Sequence, residues 1–215
     1  MRDKKTMQMV QLAILTAIVL LMAFTPLGYL RTAGISISLL TIPVAIGAML
    51  LGPGAGAVLG TVFGLTSFYQ CFGMSVMGTA MLGINPFFTF LVCVPTRALE
   101  GFLAGLVFKA VRKFDKTKVV SYYIGGLCTA LFNTIFYMST LLICFWNTDY
   151  MQSINATLGN LNPLVFVFVF VGINGAIELP SCCIVAGTIS KALEKALKLN
   201  PGITTKSIKG QAAKV

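Results

Sequence analysis

A chain of 215 residues with 57% hydrophobic and 10% charged residues and a mean hydropathy of +0.89 departs from soluble globular composition, in which about a quarter of residues are charged. Its formal charge of +10 does not point to nucleic acid, because fourteen of the sixteen basic residues flank apolar runs: Arg2, Lys4 and Lys5 before the first, Lys109, Arg112, Lys113, Lys116 and Lys118 in one hydrophilic break, and Lys191, Lys195, Lys198, Lys206, Lys209 and Lys214 after the last. With no histidine, no paired carboxylates, no phosphate-cradling glycine loop and six cysteines without metal-ligand spacing, the chain lacks the usual parts for hydrolysis, metal catalysis or ATP use, and neither an enzyme nor a bound cofactor is expected.

Apolar runs near the roughly 20 residues needed to cross a bilayer recur along the whole sequence. They predict an all-α membrane protein with one integral domain over 1–215 and six helices, at 7–25, 39–51, 54–72, 86–111, 119–146 and 163–197. The basic clusters place both termini and the 109–118 loop in the cytoplasm. The first run has the charged start of a signal peptide but no small-residue cleavage site, so it is read as a retained helix. It carries Ala13 and Ala17, four apart, as a narrow strip among bulky neighbours, and it ends at Pro26.

The loop PLGYLRTAGISIS, holding Arg31, follows on the outer side. Helix two is short and contains Pro43, which predicts a helix either kinked or tucked against protein. After the turn LGPGAG, helix three spaces Gly52, Gly56, Gly60 and Gly64 by four, a pattern that lets a neighbouring backbone approach closely. Met74, Met77 and Met81 in the loop GMSVMGTAMLGIN suit a flexible lid or plain interfacial packing equally well. A third external loop, NTDYMQSINATLGNLN, leads to helix six, whose end KALEKALK continues as an amphipathic cytoplasmic helix.

Ionisable residues inside apolar runs are costly and by default mark function. Arg97 and Glu100 lie in helix four and Glu178 in helix six. At about 1.5 Å per residue from the outer end, Arg97 is roughly 16 Å deep and Glu178 roughly 22 Å. Asn133 sits near the middle of helix five, Asn174 one turn outside Glu178, and Thr66, Tyr69 and Gln70 toward the outer end of helix three. Asn85 and Arg31, from the external loops, complete the candidate binding set. In one reading Arg97 is structural glue paired with Glu100 or Glu178. In the favoured reading these residues line a pocket, because Pro95 and Pro180 are expected to interrupt the same helices and broken helices are tolerated beside a cavity. One arginine among amides and hydroxyls suits a carboxylate, which its planar fork grips with two hydrogen bonds. Glu178 either binds a donor group of the ligand or holds Arg97.

The Ala13 and Ala17 strip, the six helices with both ends inside, and the run ISISLLTIPVAIGAMLLGPGAGAVLGTVFGLTSF together carry a resemblance. Over nearly its whole length the chain resembles the membrane-embedded substrate-binding (S) components of energy-coupling factor vitamin transporters. The resemblance implies a bacterial cytoplasmic-membrane protein whose Ala13 and Ala17 dock on the coupling helices of a transmembrane T component, itself joined to a pair of ATPases that use the ATP. Packing of the strip against helix six is the alternative. The pattern FTPLGYL, ISLLTIPVAIGAMLLGP and LTS, with an arginine in helix four and an asparagine in helix five, is most similar to pantothenate-type members. Pantothenate's carboxylate, hydroxyls and amide suit Arg97, Asn133, Thr66 and Gln70, while riboflavin, folate and cobalamin members share the scaffold. Two other classes are carried alongside: an ion-coupled secondary transporter, for which no repeat relates residues 1–110 to 111–215, and a non-transporting scaffold.

Overall fold

Gly52 and Pro53 fix the turn between two helices. Gly52 has φ +99°, a backbone conformation that glycine adopts at no steric cost, and Pro53 stands at the first position of the helix that follows, where its missing N–H is harmless. The helices on either side of this turn form the centre of a computed structural model that describes residues 4–25, 28–32 and 35–197. Pro26 and the basic residues Arg2, Lys198, Lys206, Lys209 and Lys214 lie outside the described residues.

Helix α1 (Lys4–Phe24) leads to a two-stranded antiparallel hairpin, β1 (Tyr29–Thr32) and β2 (Ile35–Ser38), and then to α2 (Thr41–Leu50) and α3 (Pro53–Gln70). A short α4 (Val76–Ile84) precedes the long α5 (Pro86–Phe114) and α6 (Val120–Phe145). A second short helix, α7 (Asp149–Thr157), leads to α8 (Pro163–Ser181), a π-helical turn at Cys182–Ala186, and α9 (Gly187–Leu197). The architecture is helical apart from the hairpin. Among the described helices, α1 over Thr6–Phe24, α5 and α6 are long and apolar enough to cross a membrane.

Each of the three external loops expected from the sequence contains regular structure. The first is the hairpin, and α4 and α7 start at hydroxyl caps: the Ser75 side chain accepts from the Gly78 N–H and the Thr148 side chain from the Met151 N–H. Met81 is buried with Val92, Leu141, Phe145, Met151 and Phe166, and Met77 packs against that cluster, so two of the three loop methionines serve packing while Met74 is exposed.

Helix α2 is only ten residues long yet buries eight of them, so it is tucked against protein; Pro43 falls in its first turn, where no helical N–H bond is lost. Around it, α1 contributes Val19 and Ala23 with Leu12, Leu15 and Met22, and α5, α6 and the π turn contribute Phe108, Tyr122, Ala130, Cys182 and Ala186. Ala13 and Ala17 are exposed on the outer face of α1 with Ile14, Ile18 and Leu21, so they do not pack inside the chain.

The two interior prolines behave differently from the interruptions expected of both. Helix α5 passes through Pro95 without a break, because the proline removes only the bond to the Leu91 carbonyl and its ring is exposed. After Pro180, α8 gives way to the π turn, which absorbs the irregularity before α9 resumes.

The end of α5, the start of α6 and α9 are tied by charge. Arg112 pairs with Glu194, donates to the Lys118 carbonyl at 2.9 Å and lies 5.0 Å from the Tyr122 ring centroid, while Lys191 reaches Glu194 at 2.8 Å. In the α5–α6 turn, Asp115 Oδ2 accepts the Ser121 N–H at 2.7 Å, and Oδ1 accepts the Thr117 and Lys118 N–H groups at 3.0 Å and the Thr117 hydroxyl at 2.7 Å. These donors, the Ser121 N–H foremost, hold the Asp115 carboxyl well below the usual carboxylate range.

Candidate ligand-binding site

The glycine spacing of α3 positions the site. A Cβ added at Gly56 would stand 2.2 Å from the Gly101 carbonyl oxygen, one at Gly60 2.0 Å from that of Arg97, and one at Gly64 2.7 Å from that of Cys93. Helix α5 reciprocates, since a Cβ at Gly101 would stand 2.1 Å from the Gly56 oxygen. Backbone therefore lies directly on backbone along the α3–α5 seam, and the main chain of Arg97 is seated against α3 with no side chain between them. The guanidinium leaves this seam between two aromatic faces, 4.6 Å from the Phe63 centroid and 4.8 Å from that of Tyr137, and its Nη1 donates to the Cys93 carbonyl at 3.4 Å. Ring faces attract a cation most strongly where water is thin.

Beside it, Asn133 of α6 donates through Nδ2 to Glu178 Oε1 of α8 at 3.0 Å, and both residues are buried. Glu100 lies one turn further along α5 than Arg97 and is 0% exposed. Arg97, Glu100 and Glu178 lie within electrostatic reach of one another. Three buried oxygens in this cluster, both of Glu100 and the Asn133 Oδ1, accept no hydrogen bond. Native interiors leave few polar atoms so placed, and each such atom calls for an explanation.

The structure brings Arg97, Asn133 and Glu178 together and employs other expected members elsewhere. Gln70 Nε2 donates to the Ala23 carbonyl at 2.7 Å, tying α3 to the end of α1, and the Thr66 hydroxyl donates to the Phe63 carbonyl of its own helix at 2.8 Å. Tyr69 is 60% exposed and packs edge-to-face on Phe24. Asn85 caps α5, its Oδ1 accepting the Phe87 and Phe88 N–H groups at 3.0 and 3.2 Å. The side chains of Arg31 and Asn174 lie outside the described residues.

Phe63 and Tyr137, whose rings face Arg97, are residues of the candidate site that the sequence reading missed. A signal for both was present: Tyr137 follows Asn133 by four on α6 and Phe63 precedes Thr66 by three on α3, spacings that share a helix face. Aromatic residues are common throughout these apolar helices, which hides that signal.

A guanidinium held by ring faces, beside an amide with a free acceptor and two buried carboxyls, is suited to an anionic group joined to hydrogen-bond donors. Comparison with known proteins bears on this chemistry. The family model described as ECF transporter, substrate-specific component, matches residues 7–190. The pantothenate transporter PanT of Leuconostoc mesenteroides is 27% identical over 204 residues, spanning 90% of this chain and 95% of that protein.

Proposed function

Because the chain belongs to the family of substrate-specific components of ECF transporters, and is on that ground a membrane transport component and not an enzyme, we propose that it binds and admits a small water-soluble vitamin bearing a carboxylate, with pantothenate as the substrate. Membership implies a T component and ATPases as partners. In this proposal those ATPases use the ATP, and the chain crosses the bacterial cytoplasmic membrane six times with both termini inside. The expected span over 163–197 then corresponds to α8, the π turn and α9 taken together.

The observation that carries the ligand class is Arg97, a guanidinium deep in an apolar helix and held between Phe63 and Tyr137. Pantothenate's carboxylate matches that guanidinium, and its amide and hydroxyl donors match the free Asn133 oxygen and the Glu178 carboxylate. The name of the Leuconostoc mesenteroides relative supports the same vitamin. In detergent, the purified chain is expected to retain pantothenate, recovered by mass spectrometry after denaturation, and to bind it again once emptied. Recovery of a different vitamin, or failure to rebind pantothenate while a control ligand binds a control transporter, would overturn the choice of substrate.

A further inference from the structure

Among the described residues Glu100 stands out: it is fully buried, with both carboxyl oxygens accepting no hydrogen bond. The groups facing it are few. Arg97 lies one turn away on the same helix, Glu178 stands across on α8, and the Cys182 thiol lies on the π turn, while the Tyr137 ring lies against Arg97. Helices α2, α3 and α6, which pack against α5, contain no acidic or basic residue at all. Among the described side chains, one cation therefore faces two buried carboxyls.

A ligand carboxylate reaching Arg97 would add a third anion to this cluster, in a setting where water screens charge weakly and an uncompensated buried charge is strongly disfavoured. Asn133 already hydrogen-bonds Glu178, whereas Glu100 has no donor to support an ionised form. We propose that Glu100 is the proton acceptor of the binding site, and that the ligand anion enters with one proton, which passes from water to a Glu100 carboxylate oxygen. No other bond is made or broken, and the net charge of the cluster is the same before and after binding. This rests on the reading of the ligand as an anion held at Arg97. Glu100 thereby becomes a positioning residue of the site: neutralised, it leaves Arg97 to the ligand.

The test is calorimetric titration of the detergent-solubilised chain with pantothenate from about pH 6 to about pH 9, in buffers of low and high ionisation enthalpy. Uptake approaching one proton per ligand is expected at the alkaline end, with affinity falling by up to about tenfold per pH unit there. Glu100→Gln should bind with no dependence on pH or buffer. Absence of proton uptake by the wild type at every pH overturns the proposal, whether or not any variant folds. Uptake that persists in Glu100→Gln but disappears in Glu178→Gln overturns the assignment to Glu100. Failure of pantothenate to bind would instead count against the substrate, and infrared spectroscopy of the ligand-free chain then decides. A carboxylic-acid carbonyl band that grows as pH falls and is missing from Glu100→Gln supports the proposal, and the lack of such a band overturns it.

Discussion

Arg97 has two kinds of neighbour that respond differently to substitution: ring faces that need a flat cation and carboxyl groups that need only charge. If the guanidinium grips the ligand's carboxylate, Arg97→Met should weaken pantothenate binding by about 2–5 kcal/mol, or roughly 30-fold to several thousand-fold. Arg97→Lys should restore only part, since a point charge reproduces neither the fork nor the stacking. An analogue with the carboxylate converted to an amide should bind the wild type weakly and lose little more in Arg97→Met, because both changes remove one interaction. Calorimetry on the four combinations measures the coupling, and equal losses for acid and amide would make Arg97 structural. Asp115 yields a prediction of opposite character. Its folded value lies below the ordinary aspartate value of about 3.9, so the turn's stabilisation is fully present above that value and disappears only as pH falls through the folded one. Amide protection of Lys118 and Ser121, corrected for intrinsic exchange, should therefore be flat from about pH 8 to about pH 5, whereas Asp115→Asn should lower it throughout. Arg97, Asn133 and Glu178 were legible in the sequence because a charge or amide within an apolar run has few places to go. Gln70 and Asn85 have backbone partners, the Ala23 carbonyl and the Phe87 and Phe88 N–H groups, which no spacing rule announces.

At the scale of elements, the α3–α5 seam is the most exacting contact. A methyl group at Gly60 would meet the Arg97 carbonyl oxygen at 2.0 Å, an atom of a rigid helix that can yield only by separating the two backbones. Gly60→Ala should destabilise the chain by about 1–3 kcal/mol and weaken ligand binding with it, since it pushes on the residue that carries the guanidinium. Gly54→Ala is the matched control, because a Cβ there meets nothing within 4 Å and should be neutral or slightly stabilising. Thermal unfolding of both variants in one detergent makes the comparison, and equal melting temperatures would refute the seam's importance. The spacing of Gly56, Gly60 and Gly64 showed this seam in advance because a repeat of four marks one helix face. The short helices α4 and α7 escaped notice because nine residues give too little periodicity to register, and what defines them is a single hydroxyl cap each, at Ser75 and Thr148. Pro95 misled for a related reason: a proline reports a lost N–H, but whether the helix bends depends on its neighbours.

For the whole molecule, a substrate-specific component has to admit its ligand and also be gripped by a partner, and under the proposed function these tasks fall on separate surfaces. The polar cluster lies among α5, α6 and α8, whereas Ala13 and Ala17 lie exposed on α1. Ala17→Trp places its side chain on an exposed face of α1, so binding of pantothenate should be unchanged while uptake by the assembled transporter is abolished. Calorimetry paired with vesicle uptake measures both, and parallel loss of the two would place the strip in the ligand-binding unit. The seam between α3 and α5 has a mechanical consequence as well. Two helices in backbone contact along several turns cannot slide without a clash, so they move as a single stiff plank that carries Arg97 with it. Any motion that opens a route to the guanidinium must then come from elements outside this plank, such as α8, which packs against α6 and β2, while the arginine keeps its place.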